Sequence, residues 1–114
     1  MTDGLRLKVV FYRTHSGSEP VREWLQKLPR AEKKTIGEDI KTVQFAWPLG
    51  MPLIRKLDSD LWEVRSHLEK QIARVLFTIV NENMVLLHGF IKKSQKTPKD
   101  DIKLAKKRVS EVRS

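Results

Sequence analysis

A chain of 114 residues and 13.3 kDa has room for one hydrophobic core, so residues 1–114 are expected to form a single domain. Hydrophobic residues at 39% and charged residues at 32% suit a small folded globule and argue against wholesale disorder. Cysteine is absent, which excludes disulfides, thiolate metal sites and cysteine nucleophiles, while a net charge of +9 favours capture of polyanions.

In chain order, Leu5, Leu7, Val9 and Phe11 alternate with Arg6, Lys8, Val10 and Tyr12, the period of a strand. THSGSEP (14–20) breaks it. Ser18 is expected to cap a helix with Pro20 in its first turn, and Val21, Trp24, Leu25 and Leu28 follow at helical spacing. Beyond Pro29 a second helix is expected from about Ala31. Ile36, Ile40 and Val43 lie on one side of it and Glu32, Lys33, Lys34, Glu38, Asp39 and Lys41 on the other. The two helices are expected to form a hairpin on a sheet. WPLGMP (47–52) reads as a loop.

Three strands are then predicted: LWEVRS (61–66), QIARVLFTIV (71–80) and MVLLHGFI (84–91), the last two joined by an Asn81-Glu82-Asn83 turn. The polar KKSQKTP (92–98) leads to a helix near Pro98 with Ile102, Ala105, Val109 and Val112 as its apolar stripe and Lys99, Lys103, Lys106 and Lys107 mostly off it. The order β-α-α-β-β-β-α predicts an α+β fold. In it an antiparallel meander takes the first strand at one edge, and helices cover its apolar face. The opposite face is expected to stay partly open, carrying Arg and Lys. No run of about 18 apolar residues exists to span a membrane, and MTDGLRLKVVFYR lacks a signal-peptide core, so a cytoplasmic location is expected.

The charge is uneven. Lys92–Ser114 holds nine Lys/Arg against Asp100, Asp101 and Glu111, leaving +3 for the preceding 91 residues. Glu63 and Arg65, two apart on one strand, share a face. Arg74 interrupts an otherwise apolar strand, and a hairpin between these strands can bring Arg65 and Arg74 together. Two adjacent guanidiniums suit a phosphate between them; alternatively, Glu63 bridges one of them on a wet sheet face. His88 reads either as a general acid or base or as a strand residue satisfied by the backbone. Lys92, Lys93, Lys96 and Lys99 sit where a strand ends, a place for fixed phosphate contacts or for a solubilising turn. Trp24, Trp47, Trp62 and Phe90 read as core, with Trp62 or Phe90 able to stack on a base if exposed. His15, His67 and His88 lie in separate segments with no metal-ligand spacing, and nucleotide-loop and hydrolase-elbow motifs are missing, so no metal or cofactor is expected.

LWEVRS, RVLFTIV (74–80), LLHGFIKKSQKTP (86–98) and the basic helix after them together resemble the RelE/ParE superfamily of bacterial toxins. The chain is most similar to its HigB-like, phage-derived branch, in which an HGF-x-KK-x-QKTP run recurs; VVFYRT (9–14) and EPVREWL (19–25) also fit, so the likeness covers nearly the whole chain. The resemblance implies a RelE-like fold and the toxin of a type II toxin–antitoxin system. It also implies a ribosome-dependent mRNA endonuclease whose partners are the ribosome, mRNA and a helix-turn-helix antitoxin. By position it assigns catalysis to Arg65, Arg74 and Lys93, with Lys92 beside it; the reading of the residues themselves adds Lys96, Lys99, Glu63 and His88, with Lys92, toward substrate. Glu63 stands where RelE-type enzymes carry a second basic residue, and no tyrosine follows the basic turn; Tyr12 is the sole tyrosine. The chemistry expected is attack of an RNA 2′-hydroxyl on its own phosphate. The cations would stabilise the phosphorane, and Glu63, His88 or Lys93 would take the proton. The alternative is a ParE-like gyrase poison without nuclease activity, and a third is a basic binding module with no activity.

Overall fold

The structure, a computed structural model, describes residues 7–48, 50 and 52–113. Leu5 and Arg6 of the expected first strand, and Leu49 and Met51 of the 47–52 loop, lie outside the described residues. In chain order the elements are β1 (Lys8–Phe11), α1 (Pro20–Gln26), α2 (Arg30–Ala46), β2 (Ile54–Asp58), β3 (Leu61–His67), β4 (Ile72–Val80), β5 (Asn83–Lys92) and α3 (Lys99–Arg113). No helix among the described residues is long and apolar enough to cross a membrane.

The strands form one sheet in the order β1-β5-β4-β3-β2. From β2 onward each strand turns back on its neighbour, because tight turns can join only antiparallel partners. Asn81, in the left-handed region at φ 57°, makes the β4–β5 turn, where Val80 pairs with Asn83. β1 is separated from β2 by both helices and enters beside the last strand, parallel to it, with Lys8 opposite Asn83 and Phe11 opposite Leu86. The sheet is therefore mixed.

Two local expectations change. IRKLD (54–58) is a fourth strand of the meander that periodicity did not reveal. It has only Ile54 and Leu57 as apolar residues, and as an edge strand it tolerates Arg55 and Lys56. Glu19, not Ser18, is the α1 N-cap. Ser18 is committed to the preceding turn: its carbonyl accepts from Thr14 N at 2.9 Å, its hydroxyl lies 3.1 Å from Thr14 Oγ1, and Gly17 supplies φ 93°. Pro20 takes the first helical position as expected.

Both sheet faces are covered. On one, Ile36, Ile40 and Val43 of α2 join Val64, Val75, Phe77, Met84 and Leu86 in an apolar cluster, each buried side chain contributing roughly 1.5–3 kcal/mol. α1 leans on β5 at Gly89, where a Cβ would meet Trp24 Cε3 and Cζ3 at 2.5 Å, so this position has to lack a side chain. Trp47 and Trp62 meet edge to face at 5.2 Å, with Phe77 beside both.

On the other face, Ala105, Ile102, Val109 and Val112 of α3 pack on Leu61, Leu76, Val85 and Leu87. The stripe read from the sequence is thus the contact face of α3, and it corrects the expectation of a partly open opposite face. A bulge in β5 helps. Leu76 pairs with His88 and Phe77 with Leu86, so Leu87 is the extra residue and both Leu87 and His88 reach the α3 side. Tyr12 anchors the end of α3: its hydroxyl donates to Glu111 Oε1 and Arg108 lies over its ring at 4.9 Å. The Glu111 carboxylate, followed by burial, holds the Tyr12 phenol above its ordinary pKa.

Candidate functional site

The α3-side face changes character along β3 and β4. At one end it carries Leu61 and Leu76; at the other, Glu63, Arg65 and Arg74. Arg65 and Arg74 are directly opposite in the β3–β4 register, as the hairpin reading anticipated. Arg55 of β2 is in register with Glu63, so three strands bring arginines to the neighbourhood of one buried carboxylate, which forms its ion pair with Arg65. Exposure is 0% for Glu63, 0% for Arg74 and 6% for Arg65. Burial, then the neighbouring Arg65 charge, pushes the Arg74 guanidinium below its ordinary pKa.

Segment 93–98, between β5 and α3, lies over these groups. Arg65 donates from Nε to Glu63 Oε1 at 2.6 Å and from Nη2 to the Gln95 carbonyl; Nη1 reaches Gln95 Oε1 at 3.5 Å. Arg74 donates from Nη1 to the Lys96 carbonyl at 3.2 Å and from Nη2 to the Ser94 carbonyl. Thr97 donates its hydroxyl to Glu63 Oε2 at 2.6 Å. Both Glu63 oxygens are therefore engaged, which leaves it poorly placed to accept a substrate proton. The guanidiniums converge, but under a peptide cover rather than on an open surface: three successive carbonyls occupy the positions an oxyanion would take. Arg74 Nε is buried with no hydrogen-bond partner among the described residues.

The outer side of that segment is cationic. Lys92, Lys93, Lys96 and Lys99 are all exposed, as are Ser94 and Gln95. Next to them His88 Nε2 lies 2.6 Å from Asp101 Oδ1, and Lys92 Nζ donates to Asp101 Oδ2 at 3.3 Å. Asp101 sits in the first turn of α3, where a carboxylate also complements the helix dipole. Phe90 links this group to the arginines: its ring centroid is 5.3 Å from that of His88, 5.5 Å from Lys92 Nζ and 5.9 Å from Arg74 Cζ. Phe90 and Trp62 are both packed against their own chain, Trp62 against Trp47 and Phe77.

The arrangement thus gathers Glu63, Arg65 and Arg74 in a closed cluster. It gathers half-buried His88 and exposed Lys92 around Asp101 and leaves Lys93, Lys96 and Lys99 on the rim. Sequence reasoning missed the residues that connect them. Asp101 and Thr97 had one available signal, their place beside Pro98 at a helix start, which reads as capping rather than as a partner for His88 or Glu63. Arg55 was hidden with the unread β2. The Ser94, Gln95 and Lys96 carbonyls have no side-chain signature at all.

Comparison with known proteins points one way. No curated protein matches the chain. The order of strands and helices is compatible with a RelE-like fold. A family model described as phage-derived protein Gp49-like (DUF891) matches residues 23–110, a span that runs from α1 nearly to the end of α3 and contains the whole cationic cluster, and the chain belongs to that family.

Proposed function

We propose that this chain is the toxin of a type II toxin–antitoxin pair, of the HigB-like branch of the RelE/ParE superfamily, and cuts mRNA on the ribosome. The observation that carries the reading is the His88–Asp101 contact at 2.6 Å set beside the exposed Lys92, Lys93, Lys96 and Lys99. A phosphate on the lysine rim would place a neighbouring ribose near an imidazole whose orientation is held by a carboxylate. His88 would take the 2′-hydroxyl proton, the 2′-oxygen would attack the adjacent phosphorus, and the P–O5′ bond would break with the leaving 5′-oxygen taking a proton from water. The products are a 2′,3′-cyclic phosphate and a 5′-hydroxyl. Lys93, with Arg65 and Arg74 behind it, would stabilise the phosphorane charge. Alignment of the three reacting atoms would come largely from the ribosome. The partner of the free toxin would be a helix-turn-helix antitoxin whose acidic surface neutralises the rim.

Primer extension on message in a translating extract tests this. Breaks are expected in translated RNA with little cutting of free RNA, and His88→Ala is expected to reduce cleavage by roughly 10²–10⁴-fold. Equal cutting of free and translated RNA would refute ribosome dependence, and full activity of His88→Ala would remove the imidazole from the mechanism.

One observation favours a second reading, a ParE-like gyrase poison that cleaves nothing: Arg65 and Arg74 are covered. If toxicity survives Arg65→Ala combined with Arg74→Ala, and DNA damage rises, that reading replaces the first.

A further inference from the structure

The buried cluster is electrically incomplete. Among the described residues, buried Arg65 and Arg74 and half-buried Arg55 lie around one buried carboxylate, Glu63. Asp101 acts on Arg74 only from a distance while bonded to His88 and Lys92, and the other guanidinium hydrogen bonds go largely to the carbonyls of Ser94, Gln95 and Lys96. Carbonyl dipoles satisfy guanidinium hydrogen bonds but do not cancel charge, and uncancelled buried charge is costly. Arg74 adds a second sign, since its Nε is buried without a hydrogen-bond partner among the described residues. Among the described residues, the cover is a short chain segment anchored from below by five hydrogen bonds, of which Thr97 to Glu63 is the only one given by the segment to the sheet. Its side chains at 93–96 are exposed.

We propose that residues 93–98 are a latch over an oxyanion seat, and that a phosphodiester of bound RNA opens it by replacing the Ser94, Gln95 and Lys96 carbonyls on Arg65 and Arg74. The inference rests on the RNA-directed reading above. It adds that the free protein is held in a closed state by its own backbone. An anion gains more than a carbonyl does at this seat, because it supplies the charge as well as the acceptors. The exposed lysines bring the phosphate to the latch from outside, and their positions shift as it opens, so docking and opening are coupled. Only the fraction of molecules with an open latch would present the seat, so closure lowers apparent affinity by that fraction.

Two measurements on the full chain test the latch, with a fully 2′-deoxy oligonucleotide as an uncleavable probe. In the wild-type protein, adding the probe is expected to perturb the ¹⁵N guanidinium resonances of Arg65 and Arg74 and to speed hydrogen exchange at amides 94–97. Thr97→Val, which removes the hydroxyl bond to Glu63, is expected to bind the probe about tenfold more tightly by loosening the closed state, and Thr97→Ser to restore wild-type affinity. The same Thr97→Val protein is expected to cut translated message faster at limiting toxin, whereas a merely structural role for Thr97 predicts a loss. Binding of the probe with unchanged guanidinium signals and protected amides would overturn the latch while leaving the lysine rim and the nuclease reading intact. Failure of the wild-type chain to cut translated message, with the guanidinium signals still responding, would instead remove the nuclease reading and keep the latch.

Discussion

On the α1–α2 side of the sheet, Ile36, Ile40 and Val43 meet Val75, Phe77 and Leu86 in a wholly apolar cluster. On the α3 side the same strands interleave Leu61, Leu76 and Leu87 with Glu63, Arg65 and Arg74. The first face is stabilised by area removed from water, which is insensitive to direction. The second is stabilised only as far as each buried polar atom finds a partner, which depends on a segment arriving from elsewhere in the chain. One side can therefore be read as scaffold. The other stores a set of cations under a cover that hydrogen-bonds to them, a construction suited to change when an anion binds.

The comparison can be broken at its strongest points. Phe77→Ala, at 0% exposure, is expected to cost about 3–5 kcal/mol in urea unfolding. Glu63→Ala should cost a similar ~3–5 kcal/mol, because it strips the buried guanidiniums of their anion. Added phosphate separates the two: it should recover part of the loss in Glu63→Ala and none in Phe77→Ala. Gly89→Ala comes next at roughly 1–3 kcal/mol, since the new Cβ forces Trp24 aside. Arg74→Met should leave stability within about 1 kcal/mol of wild type, as it removes a costly buried charge along with its bonds. It should nonetheless release the Ser94 and Lys96 carbonyls, read as faster hydrogen exchange across 94–97.

The smallest effect lies at alkaline pH. The folded Tyr12 phenol has a raised pKa, so its contribution is present below the ordinary value of 10.0 and is lost as pH climbs above it, where the unfolded phenol ionises first. Tyr12→Phe should lack this alkaline loss. The titration is readable by phenolate absorbance because Tyr12 is the sole tyrosine.

Much of the scaffold is legible in the amino-acid sequence. The alternation of β1, the apolar and β-branched run of β4 and the stripes of α2 and α3 are written in side chains whose burial is the main driving force. β2 escaped because an edge strand needs little hydrophobicity, and the Ser18 cap failed because Thr14 claimed that residue's hydroxyl and carbonyl. In the site, the meeting of Arg65 with Arg74 followed from hairpin register. Their covering did not, because the covering atoms are main-chain oxygens common to every residue.

The amino-acid sequence alone determined that the last three strands form a meander, which helix faces are apolar and where positive charge accumulates, since those follow from local periodicity and composition. Only the tertiary structure decided that α3 seals the second face, that Asp101 holds His88 and that the 93–98 peptide lies over the arginines. Each of these depends on atoms far apart in the chain meeting at hydrogen-bond distance, and sequence spacing carries no record of that.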